Sequence, residues 1–413
     1  MARWLLPENL ADSLPSEARA IENLRRCLLD LFRGYGFELV SPPLIEHLDS
    51  LLSATGTDHD LQTFKLIDQL SGRTLGLRSD MTPQVTRIDA QLLNRQGVTR
   101  LCYAGSVIHT KPSGLHASRE PIQIGAEIFG HTGIEADIEV MELMLASLAQ
   151  AGVGQLRVDL CHPGIVRHLL SGLPNCDEDV VFALLQAKDV PGLKALLVNQ
   201  SAVYADALIA LTTLYGSAND TGPDNVGLDY TGTNALQVSG VLSRARQLLP
   251  NDPIIVKALD QIAELINAPQ LNRFANFSIA IDLADVRGFR YHNGPMFAAW
   301  VGESPNAIAR GGRYDNMGAI FGRARPATGF SLELRELGRL FGGQGAAVSR
   351  AISAPWSNSM SLAEVVANLR VEGEIVIQSL PGHSNDDQQE FICDRELQCI
   401  NGIWVVARKE SVN

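Results

Sequence analysis

The chain has 413 residues, 46% of them apolar and 19% charged, with a formal net charge of −12 and an isoelectric point near 5.2. That length exceeds one small domain and can bury a large core, so a main domain with one or two attachments is expected. Uncharged runs stay below about 18 residues, and Glu8 and Asp12 interrupt the short apolar start, which excludes a spanning helix and a signal peptide and places the protein in the cytosol. The acidic balance argues against a large polyanion partner such as tRNA, because phosphate backbones are held by clustered Lys and Arg. Cys27, Cys102, Cys161, Cys176, Cys393 and Cys399 show no CxxC and no metal-ligand spacing, so reduced, mostly buried thiols and no metal site are expected.

In chain order, residues 16–33 read as an amphipathic helix with Ile21, Leu24, Leu28, Leu31 and Phe32 on one stripe, Ser16 as N-cap and Gly34-Tyr35-Gly36 as its stop. Phe37–Val40 reads as a strand, followed by Pro42-Pro43, which demand an extended chain. Strand patterns then dominate at Thr74–Leu77, Leu101–His109 and Ile122–Phe129.

From about 165 to 270 the texture changes to Ala/Leu-rich helical stretches, Val180–Lys188, Leu193–Val198, Ala202–Tyr215, Ala235–Leu249 and Ile254–Ile266, split by a Gly/Asp/Asn loop at 216–234. This predicts a helical insertion in a strand-rich body. Strand signals resume at Phe277–Leu283, Pro295–Val301 and Ala307–Arg310, and a last helix is predicted to start near Phe330. A Gly/Ala/Ser-rich linker at 342–359 precedes a small terminal unit, 360–413, with a helix at Leu362–Leu369 and strands at Glu374–Leu380, Phe391–Leu397 and Ile403–Ala407.

Chemistry concentrates in four segments. In Ile122–Phe129, alternation puts Ile122, Ile124, Ala126 and Ile128 on one face and Gln123, Gly125 and Glu127 on the other, so the polar face lines a cavity or meets solvent. Leu77-Arg-Ser-Asp80-Met-Thr82-Pro83 ends a strand with a carboxylate and a hydroxyl at a turn, a usual place for ligand contacts. Val286–Gly294 gathers Arg287, Arg290, Tyr291 and His292 around two glycines. Ala309–Asp315 adds a glycine pair where backbone can approach a ligand. His116 sits in a loop and reads as solvated or as a partner contact; no nucleophile or acid–base pair stands out, and no catalytic residue or cofactor is assigned.

Over residues 1–340 these segments, with Leu31–Pro43, resemble histidyl-tRNA synthetase. The resemblance implies an α+β fold: a class II aminoacyl-tRNA synthetase-like antiparallel sheet flanked by helices, with a helical insertion and a small C-terminal α/β unit. It also implies that Asp80, Thr82, Gln123, Glu127, Arg287, Tyr291 and His292 line a histidine-like ligand pocket, where carboxylates hold an ammonium group.

The departures from the family matter as much. Where the family carries Arg-x-Glu to grip the α-phosphate of ATP, this chain reads His109-Thr110-Lys111, and an imidazole lacks the guanidinium fork. Arg119 survives in the same loop. Where the family's last motif carries a glycine and an arginine, this chain has Glu333 and Glu336, with Arg335 one step, about 100°, off register. Together with the short, non-basic tail, these changes are similar to the regulatory-subunit family of short-form ATP phosphoribosyltransferase, and the stretch Leu362–Arg408 resembles that family's own ending. The resemblance implies a non-catalytic subunit that activates a separate catalytic subunit in the first step of histidine biosynthesis and lets histidine feed back on it. It further implies a hetero-octamer built on a synthetase-like dimer, with helix 16–33 in the dimer contact. The alternatives are an active histidyl-tRNA synthetase, which requires Arg119 and Arg335 to replace the missing grips, and a stand-alone histidine sensor or amino-acid ligase.

Overall fold

A computed structural model provides the fold; the residues described are 5–52, 62–112, 114, 117–173, 176–217, 240–274, 276–286, 291–302, 304, 306–341, 349–383 and 390–409. Arg287, His116 and most of the predicted loop at 216–234 lie outside them. The chain divides into two units: residues up to Ala11 with Asn23–Leu337, and Asp12–Glu22 with Gly338 onward.

The strands run β1 Glu38–Leu39, β2 Ile45–His47, β3 Lys65–Ile67, β4 Thr74–Leu77, β5 Thr99–Ser106, β6 Ile122–Phe129, β7 Leu156–Cys161, β8 Tyr215–Ser217, β9 Phe277–Asp282, β10 Met296–Trp300, β11 Ala309–Arg313 and β12 Ala327–Glu333, then β13 Ser349–Pro355, β14 Val376–Ser379, β15 Phe391–Ile400 and β16 Ile403–Arg408. Nine of them form the main sheet in the order β1-β5-β6-β12-β11-β10-β7-β9-β8. The six from β5 to β7 pair antiparallel, while β1 joins β5 and β9 joins β7 in parallel, so the sheet is mixed at its flanks. A small sheet β2-β4-β3 stands apart.

Helix α1 spans Pro15–Gly34. Ser16 therefore lies inside its first turn and not at the N-cap; Pro15 takes the opening position, where a missing N–H costs nothing. Of the predicted stripe, Ile21, Leu28 and Phe32 are buried, and the Phe32 ring meets Phe330 edge-on at 5.9 Å. The helix Glu135–Gln150 buries Val140, Met141, Met144 and Leu148.

The insertion carries the predicted helices at Glu178–Gln186, Val190–Leu196, Ala202–Leu211, Gly240–Leu248 and Pro253–Ile266, the last opened by Asp252, whose carboxylate accepts the Ile254 N–H. It is not wholly helical, because Tyr215–Ser217 leaves the helical stretch to pair with β9 at the edge of the main sheet. Nor does a helix start at Phe330: that residue lies within β12, and the helix begins at Leu334.

The second unit holds the sheet β14-β13-β15-β16 with the helix Met360–Val371 packed through Leu362 and Val366. Ser349–Pro355 is one of its two inner strands, so the expected linker at 342–359 is wrong for that stretch; Ala351, Ile352 and Ala354 are buried there. Asn401 and Gly402, both at positive φ, form the two-residue turn between β15 and β16. Of the six free cysteines only Cys102 and Cys161 are buried, fewer than expected, and among the described residues no helix is long and apolar enough to cross a membrane.

Candidate functional site

The site is built on β6, whose two neighbours fix what surrounds it. Register sets Tyr103 of β5 opposite Gly125, between the pairs Gly105–Gln123 and Leu101–Glu127, and sets Gly329 of β12 opposite Glu127. Directly paired residues share a face, so Gln123, Glu127 and Tyr103 point the same way. Both glycines are there for room: a Cβ at Gly125 would stand 2.5 Å from the Tyr103 hydroxyl, and one at Gly329 would run into the Glu127 carboxyl. The polar face of β6 is thus covered by neighbouring side chains; Glu127 is only 2% exposed.

The loop after β4 comes to the same place. Asp80 Oδ1 accepts from the backbone N–H and the hydroxyl of Thr82, both at 3.1 Å, which shapes the start of the helix Thr82–Arg87, with Pro83 in its first turn. Gln123 locks onto this loop at both ends of its amide: Nε2 donates to Asp80 Oδ1 at 2.8 Å, and Oε1 accepts from the Met81 N–H at 2.9 Å. Thr82 Oγ1 lies 3.1 Å from Tyr103 Oη, which is 3.0 Å from Glu127 Oε1; Glu127 Oε2 accepts from Tyr314 Oη at 2.6 Å. One continuous polar chain therefore joins Gln123, Asp80, Thr82, Tyr103, Glu127 and Tyr314. Burial pushes the Glu127 carboxyl up to about 8, against the lowering effect of the two phenols.

An aromatic wall closes the chain. The ring of Tyr291 lies 5.0 Å from Tyr314 and 4.7 Å from His292. Asn293 holds this wall in place: its N–H donates to the Arg313 carbonyl and its side chain accepts from the Asp315 N–H. Arg313 in turn is buried against Asp137 Oδ2, at 2.5 Å, and against the carbonyls of His131 and Gly133. The hydroxyl of Tyr291 is buried near that of Thr82, without a well-formed hydrogen bond among the described residues; burial together with the Asp80 and Glu127 carboxyls raises its pKa, against the lowering effect of Thr82. His292 also lines a cavity of about 120 Å³ with Asp159, Asp285 and Arg310.

Six of the seven expected pocket residues thus converge; Arg287 lies outside the described residues. Two members went unassigned from the sequence, Tyr103 and Tyr314. Both stood inside segments already singled out, but nothing in a tyrosine's type separates a core ring from a pocket hydroxyl. Chemically, a buried carboxyl, an amide, phenols and an imidazole in one small space suit a compact ligand that carries a cation and a polar ring.

The nucleotide side is different. His109 Nε2 lies 2.9 Å from the Ser79 carbonyl. Arg119 is spent on backbone: it donates to the carbonyls of His109, at 3.2 Å, and Glu8, at 3.3 Å, and lies over the Phe64 ring. Arg335 donates to the Ala11 carbonyl at 3.2 Å. Glu333, at the end of β12, caps the helix Leu334–Phe341: its carboxylate accepts from the N–H groups of Arg335 at 3.0 Å and Glu336 at 2.6 Å, and from Ile122 at the start of β6 at 3.0 Å. A helix N-terminus is a ready anion site, and here a carboxylate fills it.

The antiparallel core sheet, the buried polar cluster on β6 and the altered phosphate side define a class II synthetase-like protein of the histidyl-tRNA synthetase kind. The family model described as histidyl-tRNA synthetase matches residues 9–222 and 231–337, and that of the ATP phosphoribosyltransferase subunit HisZ C-terminal domain matches residues 349–407. The chain is 56% identical over 405 residues to the ATP phosphoribosyltransferase regulatory subunit of Cupriavidus taiwanensis, covering 98% of each, and 54% identical to that of Ralstonia nicotianae over the whole of both chains. Among solved structures, an ATP phosphoribosyltransferase regulatory subunit/histidyl-tRNA synthetase from Bacillus halodurans C is similar at a TM-score of 0.76 and 25% identity, over 95% of this chain and 98% of that one. Histidyl-tRNA synthetase from Nostoc sp. PCC 7120 shares the fold at a TM-score of 0.72 and 17% identity, over 99% and 97%. The chain belongs to the ATP phosphoribosyltransferase regulatory-subunit family.

Proposed function

We propose that this chain is the non-catalytic regulatory subunit of a short-form ATP phosphoribosyltransferase: it activates a separate catalytic subunit in the cytosol and makes the first step of histidine biosynthesis sensitive to histidine. The carrying observation is the contrast within one site, an intact polar pocket around Glu127 beside a phosphate side whose arginines are absent or spent. The pocket, Asp80, Thr82, Gln123, Glu127, Arg287, Tyr291 and His292, binds free histidine, with Glu127 and Asp80 toward the ammonium group. For histidine to regulate, it must favour one arrangement of the complex over another. The assembly is a hetero-octamer on a synthetase-like dimer, with α1 contributing to the dimer contact. The alternative of an active synthetase is not favoured, because Arg119 and Arg335, the two residues that would have to rescue it, are committed to backbone carbonyls.

The test is phosphoribosyl-ATP formation by the short catalytic subunit from the same genome, with and without this chain and with and without histidine. Activation that histidine reverses is expected; no activation would sink the reading. Gln123→Ala, which cuts the pocket loose from Asp80 and Met81, is expected to weaken histidine binding about tenfold by calorimetry, the worth of one or two hydrogen bonds. Unchanged affinity moves the histidine site elsewhere.

A further inference from the structure

The polar chain in the pocket can be counted in hydrogens. It has four oxygen-to-oxygen links: Tyr314 Oη to Glu127 Oε2 at 2.6 Å, Tyr103 Oη to Glu127 Oε1 at 3.0 Å, Thr82 Oγ1 to Tyr103 Oη at 3.1 Å, and Thr82 Oγ1 to Asp80 Oδ1 at 3.1 Å. Each link needs one hydrogen, and the three hydroxyls supply three. With both carboxyls ionised, one link sets lone pair against lone pair. A fourth proton on Asp80 Oδ1, donated to Thr82, fits the chain less well: that oxygen would still have to accept from both Gln123 Nε2 and the Thr82 N–H, more than the acceptor capacity left on a protonated carboxyl oxygen. On Glu127 Oε1 it completes the set. Glu127 then donates to Tyr103, Tyr103 to Thr82 and Thr82 to Asp80, while Tyr314 donates to Glu127 Oε2.

Among the described residues, the titratable groups facing Glu127 are Tyr103 on β5, Tyr314 after β11, Tyr291 before β10 and Asp80 before the helix Thr82–Arg87; Gly329, opposite on β12, adds none. All three phenols are raised well above their ordinary value by burial and stay neutral near pH 7. Burial acts on the Glu127 carboxyl in the same sense as the hydrogen count, pushing it up to about 8.

We infer that Glu127 is a neutral carboxylic acid in the ligand-free pocket and that a ligand's ammonium group displaces its proton to solvent, so that histidine binding releases about one proton. The inference rests on the reading of the pocket as a histidine site and adds its regulation. The exchange balances: acid plus ammonium becomes a carboxylate–ammonium pair plus a solvated proton, and the charge-assisted ammonium bonds offset the one link that gives up its hydrogen. Histidine then binds more weakly as pH falls, several-fold from about pH 8 to about pH 7 and toward tenfold per unit below that.

The experiment is calorimetric titration of the full chain with histidine at about pH 7 in two buffers of different ionisation enthalpy, phosphate and Tris. Wild type is expected to release close to one proton. Glu127→Gln is expected to release none beyond the ligand's own, with weakened and pH-insensitive binding, since its amide keeps the chain by donating to Tyr103 and accepting from Tyr314. Tight binding without proton release in wild type overturns the inference and leaves the pocket reading intact, whereas affinity untouched by Gln123→Ala removes the pocket reading itself. If Glu127→Gln binds too weakly for calorimetry, infrared difference spectra decide: the ligand-free wild type must show a protonated-carboxyl band that histidine abolishes and Glu127→Gln lacks, and its absence overturns the inference.

Discussion

Along one face, β6 presents Gln123 and Glu127 to a loop and two tyrosines that satisfy nearly every polar atom; at its first residue, the Ile122 N–H is taken by Glu333, a carboxylate that also fills the N-terminus of the helix Leu334–Phe341. The two regions share a sheet and differ in what they keep. The cluster around β6 holds an acid that stays protonated when buried alone and ionises beside a cation. The phosphate side has exchanged cations for an acid and has given its surviving arginines backbone partners. On the proposed reading, a protein that keeps one half of a two-substrate site would sense the first substrate without reacting it.

The contrast can be broken most sharply on the pocket side. Gly329→Ala, by driving a methyl into the Glu127 carboxyl, is expected to lower histidine affinity about 10- to 100-fold, in line with the roughly 1–3 kcal/mol cost of overpacking. Affinity unchanged by calorimetry would mean that Glu127 is not in the ligand's path. A smaller effect follows from pH. The folded value of Glu127 lies above its ordinary 4.5, at about 8, so folding favours the protonated form; the stability this gives is fully present below about pH 4.5 and is lost as pH rises through about 8. Glu127→Gln lacks this dependence. Its melting temperature is expected to gain on wild type by about 2 °C per unit between pH 5 and 8. Parallel melting curves across that range would show that Glu127 ionises freely in the fold.

Much of this was legible in the sequence because strand and helix periods differ. Ile122–Phe129 alternates cleanly, and its polar face named Gln123 and Glu127; Asp80 and Thr82 stood at a turn beside Pro83. Tyr103 and Tyr314 were not legible as pocket residues, since their role depends on the register that sets Tyr103 over Gly125, a long-range pairing with no local mark. The start of the last helix was misplaced because Leu332-Glu-Leu-Arg-Glu-Leu337 is rich in helix formers, while Gly329, Ser331 and Glu333 alternate with Phe330 and Leu332 in the strand that sheet pairing selects. Composition also misled at 349–355, where Ala and Ser suggested a linker but Ala351 and Ala354 are packed in the core on either side of the buried Ile352. Tyr215–Ser217, read as the end of a helix and the start of a loop, is recruited by the edge of β9, an event decided by tertiary pairing alone.

The phosphate side offers the last and smallest effect, and its smallness is the point. His109→Arg restores the single most telling residue of the synthetase, yet the new guanidinium would face a site whose helix N-terminus is already filled by Glu333 and followed by Glu336 where the family carries its arginine. One bidentate grip supplies at most about 3 kcal/mol, and two carboxylates on the same side oppose a triphosphate. The variant is therefore expected to show no histidine-dependent ATP–pyrophosphate exchange and to keep wild-type histidine affinity and activation of the catalytic subunit. Measurable exchange in this single variant would mean that the nucleotide side lost one contact and not a whole site, and would bring the regulator within one substitution of an enzyme.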